Sequence, residues 1–261
     1  MRKTLIAIAG LALAAAPISA AHAISDHTVE VQVSTTQIDL GKSISISGHV
    51  SGVSSKGFTV DIHADYSSGN SGGPIHIGHA DVHSSGNFSK TYTPPKGGAY
   101  TFNVKVEDSE GHQVAEGNSP RLLVMRWTAL KNLNPSTGDQ PVGSAGTTTG
   151  KTVDGVKWDH ELYLRDKHYL AFYLSLPCTS LKSYIGISDS APSGTTADFE
   201  LDQHDTPTYT RHLTRGVKGH FTRAINPVTE YINISAVFAA GTDSVSKKII
   251  LGEPKAYCAI G

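Results

Sequence analysis

Four histidines fall close together in this 261-residue chain, at His63, His76, His79 and His83, with Asp61, Asp65 and Asp81 among them. Imidazole nitrogens and carboxylate oxygens are the donors that hold Zn²⁺ or Cu²⁺. The spacing makes two rows, D-x-H-x-D from Asp61 to Asp65 and H-x-D-x-H from His79 to His83. On adjacent extended strands, alternate residues share a face. Asp61, His63, His79, Asp81 and His83 are therefore candidate ligands. The same pattern also describes a solvated sheet face that is rich in histidine. Since a one-residue slip in register would turn every one of these side chains over, the solvated face is the reading adopted, with no cofactor.

Three other motifs fail on context. Gly69-Asn70-Ser71-Gly72-Gly73-Pro74 spells the nucleophile segment of chymotrypsin-like serine proteases. That chemistry needs His and Asp partners from a barrel upstream of the serine, and too little chain precedes it. Ala145 to Thr152 fits a relaxed phosphate-loop pattern, but Gln140-Pro141-Val142-Gly143 precedes it and a strand pattern follows. A phosphate loop needs the reverse, a strand before and a helix after. His160-Glu161 begins like a zinc-protease helix, but position 164, where the second histidine belongs, is leucine. No catalytic residues are assigned.

A sugar-binding site needs flat aromatic faces beside a few convergent polar groups. Trp158 stands next to Asp159 and His160, Tyr209 follows His204-Asp205, and Asp189 closes the segment Ile185-Gly186-Ile187-Ser188-Asp189. Trp158, His160, Asp189 and Tyr209 are thus candidate carbohydrate contacts, each with a competing place in the core or at its rim.

These residues must sit on β-structure. From Thr28 to Val124 apolar and polar residues alternate, as in Phe58, Val60, Ile62 and Ala64 against Thr59, Asp61, His63 and Asp65. Such a pattern gives each strand one dry and one wet face, as in two packed antiparallel sheets. A phase change near Gly78 predicts a β-bulge there. From Tyr169 to Cys258, short apolar runs alternate with Gly, Pro, Asp and Ser clusters, again an all-β pattern. No long amphipathic helix is evident. The fold class expected is all-β, two antiparallel sandwiches in tandem.

The first 23 residues read as a secretory signal. Arg2 and Lys3 are followed by an apolar run from Leu5 to Ala16 and by Ala21-His22-Ala23, an A-x-A cleavage site. Losing Arg2 and Lys3 would take the formal charge from −1 to −3. That near-neutral balance argues against nucleic acid or anionic membrane as partner. No apolar stretch is long enough to span a bilayer. The two cysteines, Cys178 and Cys258, would most simply pair in an exported chain. The division expected is a signal peptide at 1–23, a first sandwich at 24–126, a linker at 127–149 and a second sandwich at 150–261.

Two resemblances add to this. Ser45-Ile46-Ser47-Gly48, Val60 to Tyr66, Gly86-Asn87-Phe88-Ser89 and Tyr92-Thr93-Pro94-Pro95 with Gly98 to Phe102 resemble bacterial immunoglobulin-like domains. The paired cysteines and buried tryptophan of antibody domains are lacking, so the resemblance implies the sandwich alone. From Gly150 to Cys258 the chain resembles the NPCBM family of carbohydrate-binding modules. The matching residues are an aliphatic strand ending at Cys178, the Ile185-to-Asp189 segment, Phe199-Glu200-Leu201 and the closing Pro254-to-Cys258. The Gly-Leu-Gly-x-His segment frequent near the start of that family is missing around Trp158 to His160. The resemblance implies a jelly-roll sandwich that binds glycan of cell wall, host or environment. The expectation is a secreted, extracellular, non-catalytic carbohydrate-binding protein with the immunoglobulin-like half as spacer. An adhesive module that binds protein is the alternative, and an extracellular metal-binding protein is a weaker one.

Overall fold

The computed structural model describes residues 27–52, 57–68, 72–133, 151–158, 161–167, 169–239 and 247–260. Its first nine strands are β1 (Val29–Val33), β2 (Gln37–Asp39), β3 (Ile44–Val50), β4 (Thr59–Ser67), β5 (Gly72–Asp81), β6 (Asn87–Tyr92), β7 (Gly98–Glu107), β8 (Gln113–Asn118) and β9 (Leu122–Ala129). Ten more follow: β10 (Thr152–Val153), β11 (Val156–Lys157), β12 (Glu161–Leu164), β13 (Tyr169–Tyr173), β14 (Cys178–Ile187), β15 (Thr196–Gln203), β16 (Thr206–Thr214), β17 (Gly219–Ala224), β18 (Tyr231–Phe238) and β19 (Ile249–Cys258). The described residues hold one 3-10 turn, Leu130–Asn132, and no α-helix. The chain is all-β, and among the described residues its strands pair antiparallel except for β2 with β9.

The alternation seen in the first half becomes burial. In β4, Val60, Ile62 and Ala64 are buried while Asp61, His63 and Asp65 face outward; β7 buries Phe102, Val104 and Val106. These residues, with Ile46, Tyr100 and Leu122, make a core between the small β1-β3-β6 sheet and the larger sheet that carries β5-β4-β7. In the second half Leu181, Ile185 and Leu251 from β14 and β19 face Phe199, Leu201 and Ile234 from the β13-β18-β15-β16 sheet. Cys178 pairs with Cys258 directly across β14 and β19, and the two form a disulfide. Both are buried in that core, so the bridge joins the start of β14 to the end of β19 in its interior.

The two halves share a sheet. Strand β9 pairs β7 on one side, and its last residues, Arg126 to Ala129, pair Cys258 to Lys255 of β19. The result is one path, β17-β14-β19-β9-β7-β4-β5. The boundary expected after residue 126 falls inside β9, and Leu130 and Leu133 are buried in the second core beside Met125 and Ala99. An unpaired strand edge leaves rows of unsatisfied N–H and C=O groups, and pairing β9 with β19 satisfies both edges at once. The Gly- and Thr-rich stretch 134–149 lies outside the described residues, as do 1–26.

Candidate functional site

The outer face of the β13-β18-β15-β16 sheet carries a groove of about 470 Å³. Its wall follows from strand periodicity. In β13, Leu170 and Phe172 point into the core, which turns Tyr169, Ala171 and Tyr173 outward. In β18, Ile232 and Ile234 point inward and turn Tyr231, Asn233 and Ser235 outward. Cross-strand register sets Tyr169 opposite Ser235, Ala171 opposite Asn233 and Tyr173 opposite Tyr231. Ala171 is the small residue between two tyrosines, and it leaves the floor open. Tyr169 is 38% exposed and Tyr173 51% exposed, so both rings are presented to solvent.

Two carboxylates complete the wall, Asp202 and Asp205. The hairpin from β15 to β16 turns through His204 and Asp205, both with positive φ, 51° and 60°. Two such residues between the paired Gln203 and Thr206 make a type I′ turn, the form whose twist matches the strands. Thus placed, Asp205 accepts hydrogen bonds from the Tyr231 hydroxyl and, at 3.4 Å, from the Asn233 amide. The bond to Asp205 pushes the Tyr231 phenol up to about 12. Asp202 is different. A register shift after Leu201 seats its Oδ1 in a buried position where it accepts no hydrogen bond from any described residue. Burial, with Glu200 and Asp205 nearby, raises its carboxyl above the usual range. No lysine or arginine lines the groove among the described residues.

Of the expected carbohydrate contacts among the described residues, Trp158, Asp189 and Tyr209, none lines this groove. Trp158 is 7% exposed and packs with Val153, Tyr163 and Ile250. Its indole lies flat over Gly252, where an added Cβ would collide with it, and stacks on Tyr184 at 5.9 Å. Asp189 accepts the backbone N–H groups of Asp154 and Gly155, at 2.9 and 3.1 Å, and so holds the β10–β11 turn. Thr152's hydroxyl and those amides keep its carboxyl below the usual range. Tyr209 is half-buried on β16 beside Phe199 and Phe221, with the Arg223 guanidinium 4.0 Å above its ring. His160 lies outside the described residues. The groove tyrosines were visible as alternate residues of Tyr169-Leu170-Ala171-Phe172-Tyr173, the signal that could have singled them out.

The histidine hairpin has the bulge expected near Gly78, whose φ is +111°. Register shifts between Ile62 and His63, so Asp61 faces His79 while His63 faces His76. His63 and His76 each place Nε2 against an Asp61 carboxylate oxygen, at 2.8 and 2.9 Å, and His79 Nδ1 is 3.7 Å away. Burial opposes ionisation of Asp61, but the bonds from His63 and His76 and the nearby His79 ring hold its carboxyl below the usual range. His76, absent from the expected ligand set, joins the cluster. Asp81 pairs opposite Thr59 and His83 lies beyond the end of β5.

No family model matches the chain, and no curated protein matches it. Solved structures do. A Clostridium perfringens ZmpB structure holding the module CBM51-2 with GlcNAc and INT domains shares 15% identity at a TM-score of 0.41, over 64% of this chain and 39% of that one. The CBM51 of C. perfringens GH95, in complex with methyl-galactose, shares 14% at 0.40, over 50% of this chain and 99% of that one. The CBM36-1 domain of a xylanase from the hindgut metagenome of Trinervitermes trinervoides shares 10% at 0.29, over 52% and 98%. The chain thus spans about two-fifths of the ZmpB structure's length.

Proposed function

We propose that the protein is a secreted, non-catalytic glycan-binding protein, that the groove on β13, β18 and β15 is its site, and that its ligand is a neutral or amine-bearing saccharide. One observation carries this: exposed tyrosine faces converge with acceptor carboxylates and an amide in a single open groove. Tyr169 and Tyr173 offer apolar faces for the C–H face of a sugar ring, and sugar hydroxyls donate to Asp202. Asp202 Oδ1 is buried and accepts no hydrogen bond from any described residue, a costly state, so a rotation of this side chain that turned the acceptor to a sugar hydroxyl would gain more than the same bond in water. The acidic wall disfavours uronic or sialic acids by charge. Asp205 is engaged by Tyr231 and Asn233, which suits a positioning role rather than proton transfer. The N-terminal signal pattern, the disulfide and the resemblance of 150–258 to a carbohydrate-binding family support the reading.

Open sites of this kind bury few ligand atoms, so a Kd of about 10 µM to 1 mM is expected. A glycan-array screen of the mature protein, followed by titration calorimetry on the best ligand, tests the proposal. Tyr173→Ala should weaken binding roughly fivefold, for about 1 kcal/mol of lost ring contact. Retention of no glycan by the folded protein, or hydrolysis of a retained one, would sink it.

Acid should also release the ligand. Binding needs Asp202 as an ionised acceptor, and its carboxyl lies above the usual range. Affinity is therefore present at neutral pH and lost as pH falls through that raised value. Asp202→Asn should cost about tenfold or more and flatten the pH profile. An unchanged profile in the variant would assign the acid effect to another group.

A further inference from the structure

We propose that the outer face of the β4–β5 hairpin is a transition-metal site, with Asp61, His63 and His76 as ligands, His79 beside them, and Zn²⁺ or Cu²⁺ as the ion. Asp61, His63 and His76 each offer one ligand atom, and these lie within 4.8 Å of one another. A tetrahedral Zn²⁺ site with bonds of about 2.0–2.1 Å sets its donor atoms about 3.3 Å apart. His63 Nε2 stands 2.8 Å from Asp61 Oδ2 and His76 Nε2 stands 2.9 Å from Oδ1, both a few tenths of an ångström inside that value, while His79 Nδ1 is 3.7 Å from Oδ1. Small side-chain rotations would suffice to admit an ion. His76 is 55% exposed and free to make them, while the Asp61 side chain beneath is only 16% exposed and fixes the centre.

The backbone builds the cluster. With regular pairing, His76 and His79, three residues apart, would face opposite sides of β5. The extra residue at the Ile62–His63 register shift, with Gly78 in a conformation that favours glycine, brings both histidines to the outer face. Two imidazoles and one carboxylate are a borderline donor set that suits Zn²⁺ or Cu²⁺; Mg²⁺ and Ca²⁺ prefer all-oxygen shells. Two cations approach from neighbouring strands. Lys105 pairs opposite Asp61 on β7 and is electrostatically engaged by Glu116, and Lys90 donates to the His79 carbonyl. Neither ammonium hydrogen-bonds Asp61 among the described residues.

The test is calorimetric titration of tag-free mature protein with Zn²⁺ and Cu²⁺, with Mg²⁺ as the contrast ion and thermal scans in parallel. One equivalent should bind saturably and raise the melting temperature, because a ligand of the folded state alone stabilises it. His76→Ala and Asp61→Asn should each weaken the ion by tenfold or more, and His83→Ala should leave it unchanged. Circular dichroism shows whether each variant is folded, and the exposure of His76 makes its variant the safer probe. Tyr173→Ala should bind metal as the parent does, which keeps this outcome separate from that of the groove. Absence of saturable Zn²⁺ and Cu²⁺ binding would overturn the proposal. So would binding that survives both His76→Ala and Asp61→Asn.

Discussion

Replacing Cys178 and Cys258 together by alanine, or reducing the bridge between them, is expected to destabilise the protein by about 4–5 kcal/mol. The two cysteines are 80 residues apart in sequence, so their bond removes much of the freedom of a long loop from the unfolded chain. They sit opposite each other on β14 and β19, the strands that bear one side of the second core, and β19 also carries β9 from the first half. Loss of the bridge should therefore be felt beyond the loop it closes. Urea unfolding of the parent with and without reductant, and of the double-alanine variant, measures it. The parent's midpoint should fall with reductant and the variant's should not move. Equal midpoints for the parent in both conditions, or two alkylatable thiols in the native protein, would contradict the expectation.

Trp158→Ala should cost about 3–5 kcal/mol, the range for truncating a large buried aromatic. The indole is 7% exposed and fills the space between the β10–β11 hairpin and β19, against Val153, Tyr163 and Ile250. Gly252 has no side chain to refill that space, and Tyr184 would lose the ring it stacks on. Near the same point the Trp158 backbone N–H donates to the buried Glu161 carboxylate, so disorder there would also strip a charged group of a partner. Denaturant titration, paired with glycan retention, separates two outcomes. A large fall in stability with groove binding intact is the expected one. Unchanged stability with lost retention would instead place a sugar contact at Trp158.

Much of this fold was legible because strand burial is a local, period-2 property. Val60, Ile62 and Ala64 face the core as their alternation with Asp61, His63 and Asp65 predicts, and the break in phase at Gly78 marks a real bulge. The cysteine pairing was legible for a different reason: with two cysteines there is one possible bridge.

What alternation cannot say is which outer-face residues meet, because that depends on register between segments far apart in sequence. His76 faces His63, and His79 faces Asp61, only through the shift at Ile62 and His63; a strict alternation selects His83 in place of His76. The groove likewise needs three strands and a type I′ turn to bring Asp205 over Tyr231, none of it visible at Tyr169 or Tyr173 alone. Trp158 shows the same limit. Its polar neighbours Asp159 and His160 read as a solvent-facing setting, but burial was decided by Gly252, nearly a hundred residues on, whose bare backbone lets the indole lie flat. The sequence by itself determined which faces of each strand are dry. Tertiary pairing decided what stands opposite what, since hydrogen-bonded register is set between strands and not within them.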